Sequence, residues 1–148
     1  MSQTKKEKDE LLKKLEETYC RIKPSKISGV GVFATRNIPK DTDLFSDLVR
    51  PKWHKFKPTD LQGLDQETIT MVDDFFVIEK DKTVWIPEFG LNGINISFFV
   101  NHSKNPNVKP VIKNDEVISF VTMRNINKGE ELTTNYGDYD DKYKKQNN

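Results

Sequence analysis

The first hydrophobic pattern along the chain has a helical period. Between residues 5 and 21, apolar side chains recur at three- and four-residue intervals among lysines and glutamates: Leu11, Leu12, Leu15 and Tyr19. This period predicts a helix over residues 5–21, within an N-terminal helical extension of residues 1–21, and Pro24 supplies a stop. The apolar stripe either packs on the domain, frays in solvent, or contacts a partner helix or a second copy.

From residue 27 onward the apolar residues fall into short runs that predict strands. Two or three strands are predicted between residues 27 and 50, with turns at 29–31 and 39–41. Two more are predicted at 108–112 and 117–123, joined by a turn at Asn114-Asp115. Short strands with few helices predict a mostly β member of the α+β class.

Residues 52–80 interrupt this strand pattern and are predicted to form an insert. Asp65 is predicted to cap a short helix over residues 66–74, and short strands are predicted at 75–77 and 83–86. Three apolar residues of this region are predicted to face inward: Ile69, Val72 and Phe76. The charged residues change from basic to acidic along the insert: Lys52, His54, Lys55 and Lys57, then Asp60, Asp65, Glu67, Asp73, Asp74 and Glu79.

A run of large apolar residues ends abruptly in short polar ones over residues 95–107, which read N-I-S-F-F-V-N-H-S-K-N-P-N. The pattern predicts a buried strand that delivers Asn101 and His102 to a surface, where binding groups are commonly held. The alternative is that these polar residues cap a turn ahead of Pro106.

Composition narrows the class of protein. Charged residues make up 32% of the chain and no apolar run approaches the ~18 residues of a membrane span, so no membrane association is expected. The N-terminus has no secretory pattern, which predicts an intracellular protein, cytoplasmic or, in a eukaryotic or viral setting, nuclear. Cys20, His54 and His102 are too few for a structural zinc site. A net charge of +1 gives no reason to expect nucleic-acid binding.

Three motifs follow one another in the chain: G-x-G-V-F-A at 29–34, N-H-S-x-x-P-N at 101–107 and G-E-E-L-x-x-x-Y-G at 129–137. Together they resemble the SET domain of protein-lysine methyltransferases, over residues 22–139, with a short tail at 140–148. The resemblance is to the minimal, free-standing SET proteins of some viruses and bacteria. It implies several short β-sheets with a C-terminal pseudoknot, and methyl transfer from S-adenosylmethionine to lysine in a histone-like or other basic protein.

The resemblance also implies roles for single residues. Tyr136 matches the catalytic tyrosine, whose hydroxyl would orient the methyl group through weak C–H···O contacts. Because a phenol is a poor general base at neutral pH, we assign Tyr136 a positioning role and expect water to remove the proton. The implied cofactor-binding positions are Gly29, Val30, Gly31, Asn101, His102 and Tyr136.

The implied substrate channel departs from the family's pattern. Thr134 stands where many SET enzymes have Phe or Tyr, which suggests room for a second or third methyl group. The aromatic wall would come from Phe99, Tyr139 and Tyr143, or from a second subunit, so a homodimer is left open. Acidic residues of the insert, which in the family forms one wall of the substrate groove, would suit a lysine-rich peptide.

Two other functions remain open at this stage. One is a SET-like module that has lost catalysis and binds a peptide or protein. The retained glycine turn, the Asn-His pair and Tyr136 argue against it, because a binding module needs no complete cofactor site. The other is methyl transfer to a different acceptor, such as a histidine nitrogen.

Overall fold

The computed structural model describes residues 3–140, in which two α-helices and three short 3₁₀ helices accompany three small β-sheets. This architecture confirms the predicted β-rich α+β class. Within the described residues, no helix has the length and apolar character needed to cross a membrane. The elements are α1 (Lys5–Glu16), β1 (Cys20–Pro24), β2 (Val30–Ala34), β3 (Trp53–Phe56), α2 (Gln66–Phe75), β4 (Val84–Pro87), β5 (Asn101–His102), β6 (Val108–Lys113), β7 (Glu116–Thr122), β8 (Glu131–Thr134), and 3₁₀ helices at Pro58–Leu61, Ile96–Phe99 and Tyr136–Asp138.

The largest sheet has the strand order β1-β2-β8-β5. The first two strands form an antiparallel ladder, and β8 adds to β2 in antiparallel fashion with Val32 opposite Leu132. The last pair is parallel, with Asn101 opposite Thr133 and His102 opposite Thr134. Because β8 lies between β2 and β5, segments about 100 residues apart become direct neighbours, and all three sequence motifs meet in this sheet.

The main hydrophobic core lies against this sheet. Its most deeply buried members come from β2, β6 and β8 and from the bridge between Ile38 and Ile126. Cys20 belongs to this core, and its burial raises the pKa of the thiol to about 12. A thiol held in this way stays protonated and unreactive at neutral pH. Other buried members are Val32, Ala34, Leu44, Phe45, Val100, Val108, Phe120 and Leu132.

A second hydrophobic core lies in the insert, where α2 packs on the two-stranded sheet β3-β4. The ring of Phe76 is at its centre, with centroid distances of 6.3 Å to Trp53 and 6.1 Å to Phe98. Among the contacts that connect the insert to the rest of the domain, two involve aromatic side chains at its ends. Phe75 meets Phe99 at 5.4 Å, and Nε1 of Trp53 donates to the carboxylate of Glu116 on β7 at 2.6 Å.

The predicted N-terminal helix is present but ends earlier than expected. A capping box at Thr4 starts α1, and the helix ends at Glu16 instead of residue 21, because Cys20–Pro24 pairs with β2. No residue of α1 is buried, and the stripe of Leu11, Leu12 and Leu15 is 52–62% exposed. The Arg36 guanidinium holds the end of the helix, donating to the carbonyl of Glu16 and lying 4.3 Å from the ring centre of Tyr19.

Three further predictions of secondary structure were wrong. Residues 75–77 form no strand, because α2 continues to Phe75. The expected buried strand before Asn101 is a 3₁₀ helix, started by Asn95, whose side chain accepts from the N–H of Ser97. Between residues 27 and 50 only β2 is a full strand, and Ile38 and Asp43 make isolated bridges.

The hairpin and cap predictions are confirmed. Asp65 accepts a hydrogen bond from the N–H of Thr68 at 3.0 Å and caps α2. The turn between β6 and β7 is made by Asn114 and Asp115, with φ of 52° and 61°. Two successive positive φ values are typical of the type I′ turn that joins short hairpins, and Asn and Asp tolerate this conformation.

Candidate active site

The glycine turn, residues 25–31, joins β1 to β2 and forms one side of the candidate site. Gly29 has a φ of +47°, and its carbonyl accepts from the N–H of Ser25 at 2.9 Å. At Gly31 a Cβ atom would stand 2.5 Å from Oε2 of Glu131 and 3.1 Å from Nδ2 of Asn101. Both distances are shorter than ordinary contacts, so a side chain at position 31 would require the Glu131 carboxylate to move.

Asn101 connects the parallel strand β5 to this turn. Its Nδ2 lies 3.2 Å from the carbonyl of Ser28 and 3.1 Å from that of Val30. The same nitrogen is 3.0 Å from Oε2 of Glu131 and 3.2 Å from Oγ of Ser25. The amide nitrogen is therefore used to hold the turn in place from behind.

The next residue, His102, holds Tyr136. Nδ1 of His102 accepts from the backbone N–H of Tyr136 at 3.0 Å, so that nitrogen carries no proton in this arrangement. The Tyr136 hydroxyl donates to the carbonyl of Val100 at 2.7 Å. The two rings lie 5.2 Å apart, tilted at 51°. Tyr136 is thus fixed at both its backbone and its hydroxyl by the segment that carries the N-H motif.

Asn107 is a structural residue of the site for which the sequence analysis gave no role. It is buried, its Oδ1 accepts from the N–H of Thr133 at 2.8 Å, and its Nδ2 donates to the carbonyl of Glu131 at 2.8 Å. Its backbone N–H also donates to the carbonyl of Thr133 at 3.1 Å. Asn107 therefore continues the contact between the central motif and β8 beyond the end of β5.

The candidate channel residues have different surroundings. Tyr139 lies beside Tyr136 with a centroid distance of 6.0 Å and beside Phe120 at 6.4 Å, whereas Phe99 contacts Phe75 on the insert. Tyr143 lies outside the described residues. Thr134 is 0% exposed, and its Oγ1 has no hydrogen-bond partner within the part of the chain that the structure describes.

Comparison with known families decides the assignment. Residues 29–137 match the SET domain. The chain belongs to the SET domain family. No curated protein matches it. Among solved structures, it is similar to a candidate histone methyltransferase of Plasmodium falciparum, with a TM-score of 0.50, 19% identity, and coverage of 80% of this chain and 93% of that one.

A second similar structure is ctPRC2, solved in an autoinhibited conformation bound to S-adenosylmethionine. The TM-score is 0.54 and the identity 23%, over 87% of this chain but only 16% of that one. At this identity both structures support the fold alone. The family assignment identifies the chain as a SET methyltransferase with S-adenosylmethionine as the methyl donor.

The residues present fit this donor. Ser28, Gly29 and Val30 leave the outer face of the glycine turn exposed, where peptide groups can contact a ligand. Asn101 lies directly behind that turn, and His102 follows it on β5. The buried Thr134 hydroxyl adds a polar atom whose hydrogen-bonding capacity is unused within residues 3–140. The turn and β5 would hold the donor.

Proposed function

We propose that this SET domain transfers a methyl group from S-adenosylmethionine to the side-chain amine of lysine in a protein substrate. The observation that carries the proposal is the double fixation of Tyr136, by Nδ1 of His102 at its N–H and by the carbonyl of Val100 at its hydroxyl. The fixed phenol stands next to the strand pair that carries the cofactor motifs. Such fixation suits a reaction whose catalysis is mainly positioning, which supplies ~7–11 kcal/mol of barrier lowering.

The hydrogen bond of Tyr136 determines what its hydroxyl can do. Its proton is directed to the carbonyl of Val100, and a phenol oxygen can also accept through its lone pairs. They suit weak C–H···O contacts that orient the transferred methyl. When bound, the donor supplies an electrophilic methyl group. The Tyr136 phenol itself takes up no proton, and we assign proton removal from the incoming ammonium to water.

An aromatic environment beside Tyr136 supports an amine as acceptor. Its ring is in contact with Tyr139, which in turn meets Phe120. Apolar surroundings disfavour a charged ammonium and favour the neutral amine that can attack. In the reaction, the N–C bond forms as the S–C bond breaks, and the product amine is neutralised by loss of a proton to solvent.

The insert supports a basic protein as substrate. The α2 helix and its cap carry four carboxylates and no basic residue: Asp65, Glu67, Asp73 and Asp74. A negative surface of this kind accelerates encounter with a lysine-rich segment and fixes its register. The small, fully buried Thr134 suggests that products can proceed past monomethyl-lysine. We identify the substrate class by this chemistry only.

The first test is calorimetric titration of the purified protein with S-adenosylmethionine and with its demethylated product. We expect saturable binding at one site per chain. Transfer of labelled methyl groups to lysine-rich peptides should then follow, and Lys→Arg versions of the peptides should receive none. Mass spectrometry under excess enzyme should show di- or trimethyl-lysine.

Each alternative predicts a different result. Labelling that persists in the Lys→Arg peptides but disappears when histidine is replaced would move the acceptor to a histidine nitrogen. Absence of binding to either form of the cofactor would favour a peptide-binding module, and the insert would be the surface to test next. A product limited to monomethyl-lysine would show that Thr134 leaves no extra room.

A further inference from the structure

We propose that Glu131 and Ser25 are positioning residues that, in one network with Asn101, set the shape of the glycine turn and through it affect cofactor binding. Glu131 lies on β8, Ser25 directly follows β1, and Asn101 lies on β5. The effect on the cofactor rests on the function proposed above. The effect on the turn does not, and it can be measured on the protein alone.

The hydroxyl of Ser25 lies at the centre of the network. It donates to the Glu131 carboxylate, at 2.7 Å from Oε1 and 3.0 Å from Oε2. The same oxygen accepts from the N–H of Ile27 at 2.9 Å, and the N–H of Ser25 closes the loop on the carbonyl of Gly29. Residues 25–29 are therefore folded around a hydroxyl whose proton has a fixed acceptor on β8.

Glu131 supplies two acceptor atoms that a neutral side chain cannot both replace. One donor is the Ser25 hydroxyl, and the other is Nδ2 of Asn101, 3.0 Å from Oε2. A glutamine at this position would have one oxygen and one NH₂ group, so its single oxygen would have to accept from both the Ser25 hydroxyl and Asn101. Turning the Asn101 amide would not help, because its oxygen would then face the backbone carbonyls of the turn.

The absence of a side chain at Gly31 is consistent with the position of the Glu131 carboxylate. Oε2 of Glu131 would stand 2.5 Å from a Cβ atom at position 31, and Cδ 2.9 Å. The backbone of Gly31 does not require glycine, since the residue lies in β2 and its φ is not positive. A side chain here would have to displace the Glu131 carboxylate, and with it the contacts of that carboxylate with Ser25 and Asn101.

Together these contacts assign the parts of the turn to distinct tasks. Its inner face is fixed by Glu131, Ser25 and Asn101, and its outer face, at Ser28 and Gly29, is exposed. Loss of the inner contacts would let the outer peptide groups move. A shift of about 1 Å is enough to weaken positioning of a ligand severely.

The turn itself can be tested by amide hydrogen exchange on the ligand-free protein. We expect faster exchange over residues 25–31 in Ser25→Ala and in Glu131→Gln, with unchanged exchange in β6 and β7. The matched control is Glu130→Gln. Glu130 precedes Glu131 but binds Arg124 at 2.7 Å and the N–H of Asn127 at 2.9 Å, away from the turn. Exchange over 25–31 equal to that of the control would overturn the proposal.

A double-mutant cycle tests the contact between Glu131 and Gly31. Gly31→Ala should lower Tm in the otherwise unchanged protein. Combined with Glu131→Ala, which removes the carboxylate, the same change should lower Tm by less than about half as much, because contacting residues are not additive. Equal shifts in both backgrounds would show that the carboxylate does not dictate glycine. If Glu131→Ala fails to fold, Glu131→Ser serves as the background.

Cofactor binding tests the last step. We expect Glu131→Gln and Ser25→Ala to raise the Kd for S-adenosylmethionine by about 10-fold, equivalent to 1.4 kcal/mol. KM for the cofactor should rise while kcat and KM for the peptide change little, and Ser25→Thr, which keeps the hydroxyl, should recover part of the affinity. Glu130→Gln should bind as the unchanged protein does. Unchanged Kd in both variants would refute the effect on the cofactor.

The experiments distinguish failure of the proposed function from failure of the positioning role of Glu131 and Ser25. If the unchanged protein bound no S-adenosylmethionine, the proposed function would fail, while the exchange and the Tm cycle would still decide whether Glu131 and Ser25 shape the turn. If the unchanged protein bound the cofactor but neither variant altered the turn or the Kd, only the positioning role would fail.

Discussion

Hydrogen bonds made by side chains join distant segments in and next to the four-stranded sheet, whereas those made within the insert join near neighbours in sequence. Glu131 binds Ser25, 106 residues earlier, and the N–H of Tyr136 binds His102, 34 residues earlier. In the insert, Asp65 binds Thr68, three residues on, and Asp60 accepts from the N–H of Lys57, three residues back. The sheet uses polar side chains to join distant segments, and the insert uses them mainly to shape single turns and helix ends.

This difference separates two tasks within one small domain. A long-range hydrogen bond fixes the relative position of two elements, which is what a reaction centre requires. A local cap stabilises a helix or a turn wherever that element sits. The insert is then held mainly by its apolar core and by the contacts of Phe75 and Trp53 with the rest of the domain. We therefore expect substitutions in the two regions to have separable effects.

The largest expected effect on stability lies in the core of the insert. Phe76→Ala removes the ring between Trp53 and Phe98 and should lower the free energy of unfolding by about 3–5 kcal/mol. Because the glycine turn and β5 are not part of that core, binding of S-adenosylmethionine per folded molecule should persist. Chemical denaturation and calorimetry measure the two quantities.

Met71 on the same helix is the matched control, since it is 40% exposed. Met71→Ala should change stability only slightly. Loss of cofactor binding in folded Phe76→Ala would contradict the separation of the two regions.

The next effect concerns catalysis in the sheet region. Tyr136→Phe keeps the ring but removes the hydroxyl that binds the carbonyl of Val100. Methyl transfer should fall about 100- to 1,000-fold, as expected for loss of one group that acts on the transition state. Cofactor affinity should stay close to that of the unchanged protein, because the turn is untouched. Labelled-methyl transfer and calorimetry test this. Full turnover would remove Tyr136 from the mechanism.

A smaller effect on stability is expected at Asn107. Asn107→Ala leaves the N–H of Thr133 and the carbonyl of Glu131 without their partner inside the domain. The free energy of unfolding should fall by about 2 kcal/mol, from ~1 kcal/mol for each unpaired group. The comparison is Asp65→Ala, which removes an exposed cap and should cost clearly less. A larger loss at Asp65 than at Asn107 would reverse the proposed contrast.

The smallest expected effect is on stability in alkaline solution and concerns Cys20, on β1 of the four-stranded sheet. Burial raises the pKa of Cys20 from 9.0 to about 12, so above about pH 9 the unfolded chain loses this proton while the folded chain keeps it. The stability contributed by the protonated thiol is therefore lost as pH rises, by roughly 1 kcal/mol at pH ~10. Denaturation of the unchanged protein and of Cys20→Ala at pH ~8 and ~10 isolates the contribution. A pH dependence identical in both would disprove it.

The sequence was enough to predict the family, the general fold class and the three motifs that meet in the four-stranded sheet. Predictions of secondary structure failed where pairing between distant segments determines the local conformation. The cap at Asp65 and the turn at Asn114-Asp115 were predictable because their partners lie within a few residues. The helical period past Glu16 was misleading, because pairing of β1 with β2 overrides it. The contact of Ser25 with Glu131 was not predictable, since the two residues are 106 positions apart in the sequence.

The position of β8 between β2 and β5 has a consequence for folding during synthesis on the ribosome. Neither the support of the glycine turn nor that of Tyr136 can form before residues 131–136 have been synthesised, because both depend on that segment. Pairings of such long sequence separation form slowly. The insert, whose contacts are mostly local, can acquire structure while the rest of the chain is still emerging. A growing chain can therefore fold its insert before it can assemble the candidate active site.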